Sequence, residues 1–175
     1  MRILLANDDG IYSEGIYALY QKLSEIADVT VVAPLSEQSA VGHAITIADP
    51  LRVVDFYKFG KFFGYGIKGT PADCVKIAIS DILDKKPDLV VSGINHGANL
   101  ATNVIYSGTV SAATEGAMMG VPSLAVSLAT KEKADFNPAA EVGAYFADYL
   151  YKASLPDHTV LNVNVPPLSK DKIKG

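Results

Sequence analysis

Residues 2–10 read RILLANDDG, a short apolar run followed at once by polar turn residues. Such a run is typical of a buried parallel strand, because helices cover both faces of that strand. Four similar runs recur later in the chain, at 29–33 (VTVVA), 88–92 (DLVVS), 123–128 (SLAVSL) and 160–165 (VLNVNV). Segments with helical periodicity lie between them. This alternation predicts βαβ units, and therefore an α/β fold whose mostly parallel sheet has helices on both faces.

The predicted helices are recognised from their starts and their apolar faces. One begins near Ser13, and another begins at Thr70 with Pro71 in its first turn and Asp73 three residues after the cap. Two more cover about 109–119 and the segment after Asn137. The predicted apolar faces are Ile16, Leu19, Leu23 and Ile26 on the first helix, Val75, Ile79, Ile82 and Leu83 on the second, and Val142, Phe146, Tyr149 and Leu150 on the last.

Residues 52–68 break this rhythm, because aromatic and polar residues alternate around a central KFGK. The pattern predicts a β-hairpin inserted into the α/β core. We expect its aromatic residues Phe56, Phe59, Phe62 and Phe63 to lie outside the core. Since a lone hairpin is marginal in water, a second subunit is expected to cover them.

The length of 175 residues predicts one domain over residues 1–168, followed by a frayed or cut-short tail over 169–175. Fifteen Lys and Arg against nineteen Asp and Glu leave a net charge of −4, without a basic run, which argues against a protein that coats nucleic-acid duplexes. The single cysteine, Cys74, excludes an internal disulfide framework. With neither a membrane-length apolar stretch nor a signal peptide, we expect a cytoplasmic protein.

Polar segments follow the predicted strands at their carboxyl ends, where open parallel sheets bind ligands. Asp8 and Asp9 are adjacent carboxylates directly after a buried strand. Their mutual repulsion is tolerable when a cation or proton compensates, and hard oxygen ligands suit Mg²⁺ or Mn²⁺. The alternative is an Asx turn with a helix cap. Ser39 and Asn95 on neighbouring loops could add neutral oxygen donors, although each alone is an ordinary loop hydrogen-bonder.

Residues 107–113 (SGTVSAA) resemble a loop that enters a helix N-terminus, where free N–H groups bind anions. Gly108 would let an oxyanion approach the backbone, and the Ser107 and Thr109 hydroxyls would add donors. The alternative is plain helix capping. His43 and His96 lie in the polar loops and could hold a leaving group or donate a proton.

Five ordered motifs together resemble the SurE family of metal-dependent nucleotide phosphatases. They are RILLANDDG at 2–10, APLSEQSAVGH at 33–43, GTPADCV at 69–75, VSGINHGAN at 91–99, and SGT at 107–109 followed by EGAM at 115–118, and the match continues to NVNVP at 162–166. The resemblance implies a Rossmann-like three-layer sandwich. It also implies hydrolysis of nucleoside 5′- and 3′-monophosphates, and in some members of short polyphosphate, by homodimers or homotetramers.

The resemblance further implies that Asp8, Asp9, Ser39 and Asn95 bind one divalent cation per subunit, Mg²⁺ or Mn²⁺. The substrate phosphate would then be held by Asn99, Ser107, Gly108 and Thr109. We predict Asp8, Asp9 and Asn95 as the catalytic residues, with either aspartate as the base, and Asn7, His43 and His96 as supporting residues. Family chains usually continue past the Pro166-Pro167 motif, which leaves assembly and full activity open.

Three other functions stay open. A phosphatase with an aspartyl-phosphate intermediate usually carries D-x-D after its first strand, whereas here the acids are adjacent. A phospho-receiver domain needs an aspartate at the end of its third strand, where this chain has 92–95 (SGIN). A non-catalytic nucleotide-binding module is the third, although G-x-G-x-x-G does not follow the first strand.

Overall fold

The computed structural model describes residues 1–133, 135–153, 155–169 and 172–173. Within these residues the strands are β1 (Arg2–Ala6), β2 (Asp28–Pro34), β3 (Val53–Lys58), β4 (Lys61–Ile67), β5 (Leu89–His96), β6 (Ser123–Leu128) and β7 (Val160–Val165). The helices are α1 (Glu14–Leu23), α2 (Pro71–Ile77), α3 (Asn103–Tyr106), α4 (Gly108–Met118) and α5 (Asn137–Lys152). In the described part of the chain, none of the helices is long and apolar enough to cross a membrane.

The strands form one sheet in the order β3-β4-β2-β1-β5-β6-β7. Every neighbouring pair is parallel except β3 with β4. Helices α1 and α5 pack on one face and α2 and α4 on the other, each over a separate apolar core. Leu4 and Leu5 illustrate the alternation along β1, because they are fully buried in opposite cores. The predicted Rossmann-like three-layer sandwich is confirmed.

The helix starts follow the predicted caps. The Ser13 hydroxyl accepts the Ile16 N–H at 3.4 Å, and Thr70 forms a complete capping box with Asp73. Helix α2 continues as a π-helical turn over Ala78–Ile82. Helix α1 ends at Leu23, so Ile26 lies beyond it and is exposed, and its predicted place in the apolar face was wrong.

Helix α5 buries the predicted Leu150, and the predicted Val142 and Phe146 pack partly buried against the same core. The predicted Tyr149 is exposed. The buried positions are Ala139, Ala140, Gly143, Ala147 and Leu150. Small residues let α5 pack closely on α1: a Cβ atom at Gly143 would lie 2.9 Å from Leu19 Cδ1, the flexible end of that side chain.

The predicted hairpin forms, but it extends the sheet instead of lying outside the core. Its second strand, β4, pairs in parallel with β2, and this pairing buries Phe63 on the α1 face. Phe59 and Gly60 make the turn with φ of 53° and 75°, as a two-residue type I′ turn requires. Phe59 and Phe62 remain exposed, so the predicted exposure was right for these two residues.

The predicted tail over 169–175 falls largely on residues 170, 171, 174 and 175, which lie outside the described residues. The division into a 1–168 domain and a tail stays a prediction.

Candidate active site

The turn after β1 presents Asp8 and Asp9 to two different neighbours. Asp8 is buried, and its carboxylate accepts hydrogen bonds from the hydroxyl and the backbone N–H of Thr109, in the first turn of α4. Asp9 is half-buried and accepts the His96 N–H at 3.2 Å, from the end of β5. The two carboxylates therefore connect the end of β1 with the start of α4 and the end of β5, at the carboxyl edge of the sheet.

Both carboxyl groups are harder to ionise than in water. Burial raises the pKa of Asp8, although the hydrogen bonds from Thr109 oppose this, and the charge of Glu37 adds to the rise. Burial, followed by the charge of Asp8, raises the pKa of Asp9 to about 6. When Asp8 and Asp9 are ionised, the neighbouring protein groups therefore only partly stabilise their negative charges.

The loop after β2 lies against this turn. The Gln38 N–H donates to the Asp8 carbonyl at 2.8 Å, which brings Ser39 to the edge of the site. The Ser39 hydroxyl is exposed and donates to Glu37. Sequence reasoning did not single out Glu37, although a third carboxylate two residues before Ser39 was visible in the 33–43 stretch.

Asn95 and His96 lie on a strand and not on a loop, which corrects the sequence-based expectation. Strand β5 continues past Ser92 after an irregularity and pairs Asn95 with Ser127 of β6. The Asn95 side-chain N–H donates to the Gly97 carbonyl at 2.6 Å, and its side-chain oxygen accepts no hydrogen bond from the described residues, so that oxygen could bind a cation. The His96 ring N–H donates to the Glu132 carbonyl at 2.9 Å, so His96 contacts Asp9 through its backbone N–H and not through its ring.

The start of α4 is the predicted anion site, and in this structure it holds the Asp8 carboxylate. Ser107 is the N-cap, whose hydroxyl accepts the Val110 N–H at 3.1 Å. A Cβ atom at Gly108 would lie 2.7 Å from Asp8 Cβ, so Asp8 occupies the space that a side chain at position 108 would need. The expectation that Gly108 lets a phosphate oxyanion approach the backbone stays a prediction.

Asn99 lies with β6 and β7, and its hydrogen bonds do not reach the acidic turn. Its amide donates to the Ser127 hydroxyl at 3.0 Å. The Asn164 side chain accepts the Asn99 N–H at 2.8 Å and donates to its carbonyl at 3.2 Å, and Asn162 donates to the same carbonyl at 2.9 Å. Sequence reasoning missed these two β7 partners, although their i, i+2 spacing places them on one face of a strand.

The other supporting residues have structural partners. His43 lies 2.8 Å from Glu115, a buried carboxylate that also receives Lys76 at 3.0 Å. Asn7 is buried and donates to the Gly10 carbonyl at 3.0 Å and the Ser13 hydroxyl at 2.9 Å, so it fixes the turn and the start of α1. Its side-chain oxygen has no hydrogen-bond partner among the described residues.

The described residues do not gather three His, Cys, Asp or Glu side chains in a metal-binding cluster. The two aspartates offer carboxylate oxygens, the type of donor that suits hard cations, which usually keep several water ligands. Fold and site thus define a three-layer α/β protein with an acidic site at the carboxyl edge of its sheet.

Comparison with known proteins places this class more narrowly. The family model described as "Survival protein SurE" matches residues 3–175, and the chain belongs to the SurE family. The crystal structure of the SurE protein from Aquifex aeolicus is similar, with a TM-score of 0.92 and 43% identity, covering 99% of this chain and 69% of that one.

Curated relatives carry the name "5′-nucleotidase SurE". Those from Syntrophobacter fumaroxidans and Syntrophus aciditrophicus are 57% and 56% identical over 175 residues, which is all of this chain and 70% and 66% of theirs. The relative from Chlorobium phaeobacteroides is 51% identical over 173 residues, covering 99% of this chain and 67% of its own. The chain thus spans about two thirds of the length of these relatives.

Proposed function

We propose that this protein is a divalent-metal-dependent phosphomonoesterase that hydrolyses nucleoside 5′-monophosphates to a nucleoside and phosphate. The observation that carries the proposal is the adjacent pair Asp8 and Asp9 at the carboxyl edge of the sheet. Asp8 contacts the start of α4, Asp9 contacts the end of β5, and the pKa values of both are raised. The name of the curated relatives, 5′-nucleotidase SurE, supports the reaction and the substrate class.

The residues present fit one hard cation, which Asp8, Asp9, Ser39 and Asn95 would hold. The fit rests on chemistry: all four side chains offer oxygen, and the free oxygen of Asn95 is the one that its bond to Gly97 leaves available. Such a cation, once bound, neutralises phosphate charge and lowers the pKa of a bound water. Mg²⁺ and Mn²⁺ both match this donor set.

The chain's own residues would bind and orient the phosphate and take up the proton. Asp9 is the better base of the two aspartates, because Asp8 is buried and already accepts two hydrogen bonds from Thr109. The Gly108 N–H at the start of α4, together with the Ser107 hydroxyl, would bind phosphate oxygens. Asn99, which Asn164 of β7 holds in place, would also bind the phosphate.

Several finer points belong to the same proposal. We expect activity on 3′-monophosphates and on short polyphosphate as well, as the family resemblance implies. Self-association into homodimers or homotetramers is supported by the exposed aromatic side chains of Tyr57, Phe59 and Phe62 on the hairpin. A cytoplasmic location stays a prediction.

The test is phosphate release from a panel of nucleoside 5′- and 3′-monophosphates with Mg²⁺, Mn²⁺ or a chelator. Asp9→Asn should lower kcat/KM by roughly 10²-fold or more, as expected for loss of a general base. The matched control is Asp28→Asn, because Asp28 is exposed at the amino end of β2, on the opposite edge of the sheet. It should keep wild-type activity.

Each rival function has its own outcome. Uptake of one phosphoryl group without catalytic release would indicate a phospho-receiver, and a trapped phosphoryl-aspartate during turnover would indicate the covalent phosphatase. Nucleotide binding without turnover, under every metal condition, would indicate a binding module and would refute the proposal.

A further inference from the structure

A cleft of about 440 Å³ lies beside the candidate active site, on the far side of the loop after β2. Its walls come from that loop, from the segment before β3 and from the turn between β4 and α2. The polar residues that line it include Ser36, Gln38, Thr46, Asp49, Arg52 and Lys68. The described function does not use this cleft.

Two cations face each other on one wall of the cleft. The antiparallel register of β3 and β4 ends at the pair Val53 and Ile67, and beyond it the Lys68 N–H donates to the Arg52 carbonyl at 3.1 Å. Arg52 and Lys68 are therefore directly opposite each other across the hairpin. Residues opposite each other in this way share a face, and like charges at such positions repel.

Within the described residues, neither Arg52 nor Lys68 forms an ion pair that would relieve this repulsion. Asp49 is the carboxylate on the cleft wall, so the lining carries two positive charges and one negative charge. Arg52 and Lys68 are both exposed and are free to turn toward a ligand. An anion between them would replace repulsion by two charge-assisted hydrogen-bonding partners.

The cleft and the acidic turn share one loop. Gln38 lines the cleft, and its backbone N–H donates to the Asp8 carbonyl at 2.8 Å. Ser36 also lines the cleft, while its carbonyl carbon lies 3.4 Å from where a Cβ atom of Gly10 would be. A ligand in the cleft is thus separated from the acidic turn by the thickness of one backbone segment.

We propose that this cleft binds a second phosphate group through Arg52 and Lys68. Phosphate is the favoured anion because its oxygens match the planar fork of arginine and its double charge matches two cations. The group can belong to a substrate that carries two phosphates or be a free anion that binds beside the substrate. The first source rests on the proposed function, whereas the second does not.

The test compares the wild type with the double variant Arg52→Gln/Lys68→Gln. The matched control is Lys61→Gln/Lys85→Gln, which removes the same charge from two exposed lysines that do not line the cleft. Pyrophosphate is titrated into each metal-free protein by calorimetry. We expect the double variant to lose about tenfold or more in affinity, as for loss of charge-assisted contacts, and the control to stay within about twofold.

A kinetic arm separates the two sources of phosphate. The ratio of KM for adenosine 3′,5′-bisphosphate to KM for 5′-AMP is measured on the same proteins. If this ratio rises in the double variant while kcat/KM for 5′-AMP is kept, the second phosphate belongs to the substrate. If pyrophosphate affinity falls but the ratio stays constant, the cleft binds a free anion.

Equal pyrophosphate affinity in the double variant and the control would overturn the proposal, whatever the nucleotidase assay gives. Conversely, a selective loss of pyrophosphate binding in proteins that hydrolyse no nucleotide would support the cleft and refute the proposed function. Thermal unfolding provides the check on folding. Because the variant removes a repulsive pair, its melting temperature at low salt should equal or exceed that of the wild type.

Discussion

The side-chain amide of Asn164 pairs with both backbone polar groups of Asn99, accepting its N–H at 2.8 Å and donating to its carbonyl at 3.2 Å. Asn164 thereby acts as a strand neighbour would, at a place where the chain has left β5 and not yet entered α3. Since Asn99 is a proposed phosphate ligand, the last strand of the sheet controls its position.

Asn164→Ala removes both bonds and should lower stability by about 1–2 kcal/mol, because the N–H of the buried Asn99 loses its partner and its carbonyl keeps only the bond from Asn162. It should also weaken inhibition by inorganic phosphate. Urea unfolding and phosphate inhibition of nucleotide hydrolysis measure the two effects. Asn162→Ala removes one bond to the same carbonyl and serves as the graded comparison. Unchanged stability and inhibition in Asn164→Ala would show that this pairing does not position Asn99.

The raised pKa of Asp9 predicts the pH dependence of stability in the metal-free protein. The folded carboxyl titrates at about 6, against an ordinary value of 3.8, so the folded state binds this proton more tightly than the unfolded state. The associated stability is complete below about pH 4 and is lost as pH rises through 6, by on the order of 3 kcal/mol.

Thermal unfolding between pH 4 and 8 measures this loss, and Asp9→Asn should make the curve shallower. Some slope should persist in the variant, because burial raises the pKa of Asp8 in the same direction. Adding saturating Mn²⁺ to the wild-type protein at pH 7 should restore the lost stability, since metal binding favours the folded state. A metal-free protein that gains stability from pH 4 to 7 would contradict the assignment.

Thr109→Val tests the contact between α4 and the acidic turn. The substitution keeps the shape of the side chain but removes the hydroxyl that donates to Asp8 inside the protein. Loss of a hydrogen bond to a buried charged group should cost about 1.5–3 kcal/mol and should lower hydrolysis as well. Thr114→Val is the control on the same helix, because its hydroxyl bonds only to the Val110 carbonyl at 2.9 Å in the described structure. Equal stability of the two variants would refute the role of this contact.

Gly108→Ala should weaken metal binding and phosphate binding together. The added Cβ atom would lie 2.7 Å from Asp8 Cβ and 3.1 Å from Pro71 Cγ, so Asp8 must move. Gly143→Ala is the matched control. Its Cβ atom would meet the flexible end of Leu19 at 2.9 Å, and Gly143 lies on α5, which contributes no residue to the proposed site. Calorimetric Mn²⁺ titration and phosphate inhibition measure both functions. Normal Mn²⁺ affinity in Gly108→Ala would mean that Asp8 either tolerates the shift or is not a ligand.

Local sequence patterns were sufficient for most elements of the sheet and for the general location of the site. The apolar run at 2–6 predicts β1, and the Thr70 and Asp73 capping pair predicts the start of α2, because these signals involve neighbours in the chain. Parallel strands then bring their carboxyl ends to one edge. For this reason Asp8, Asp9 and the start of α4 could be expected to converge before any contact was known.

Contacts between distant segments were decided by the tertiary structure. The pairing of β4 with β2, the extension of β5 through Asn95, and the burial of small residues on α5 all depend on which elements become neighbours. Side-chain partners follow the same rule: Asp8 fills the space at Gly108, and Asn164 holds Asn99. The period of a strand or helix specifies which residues share a face, but not what packs against that face. The sequence alone therefore determined the elements and the edge where the site lies, whereas packing decided which atoms meet there.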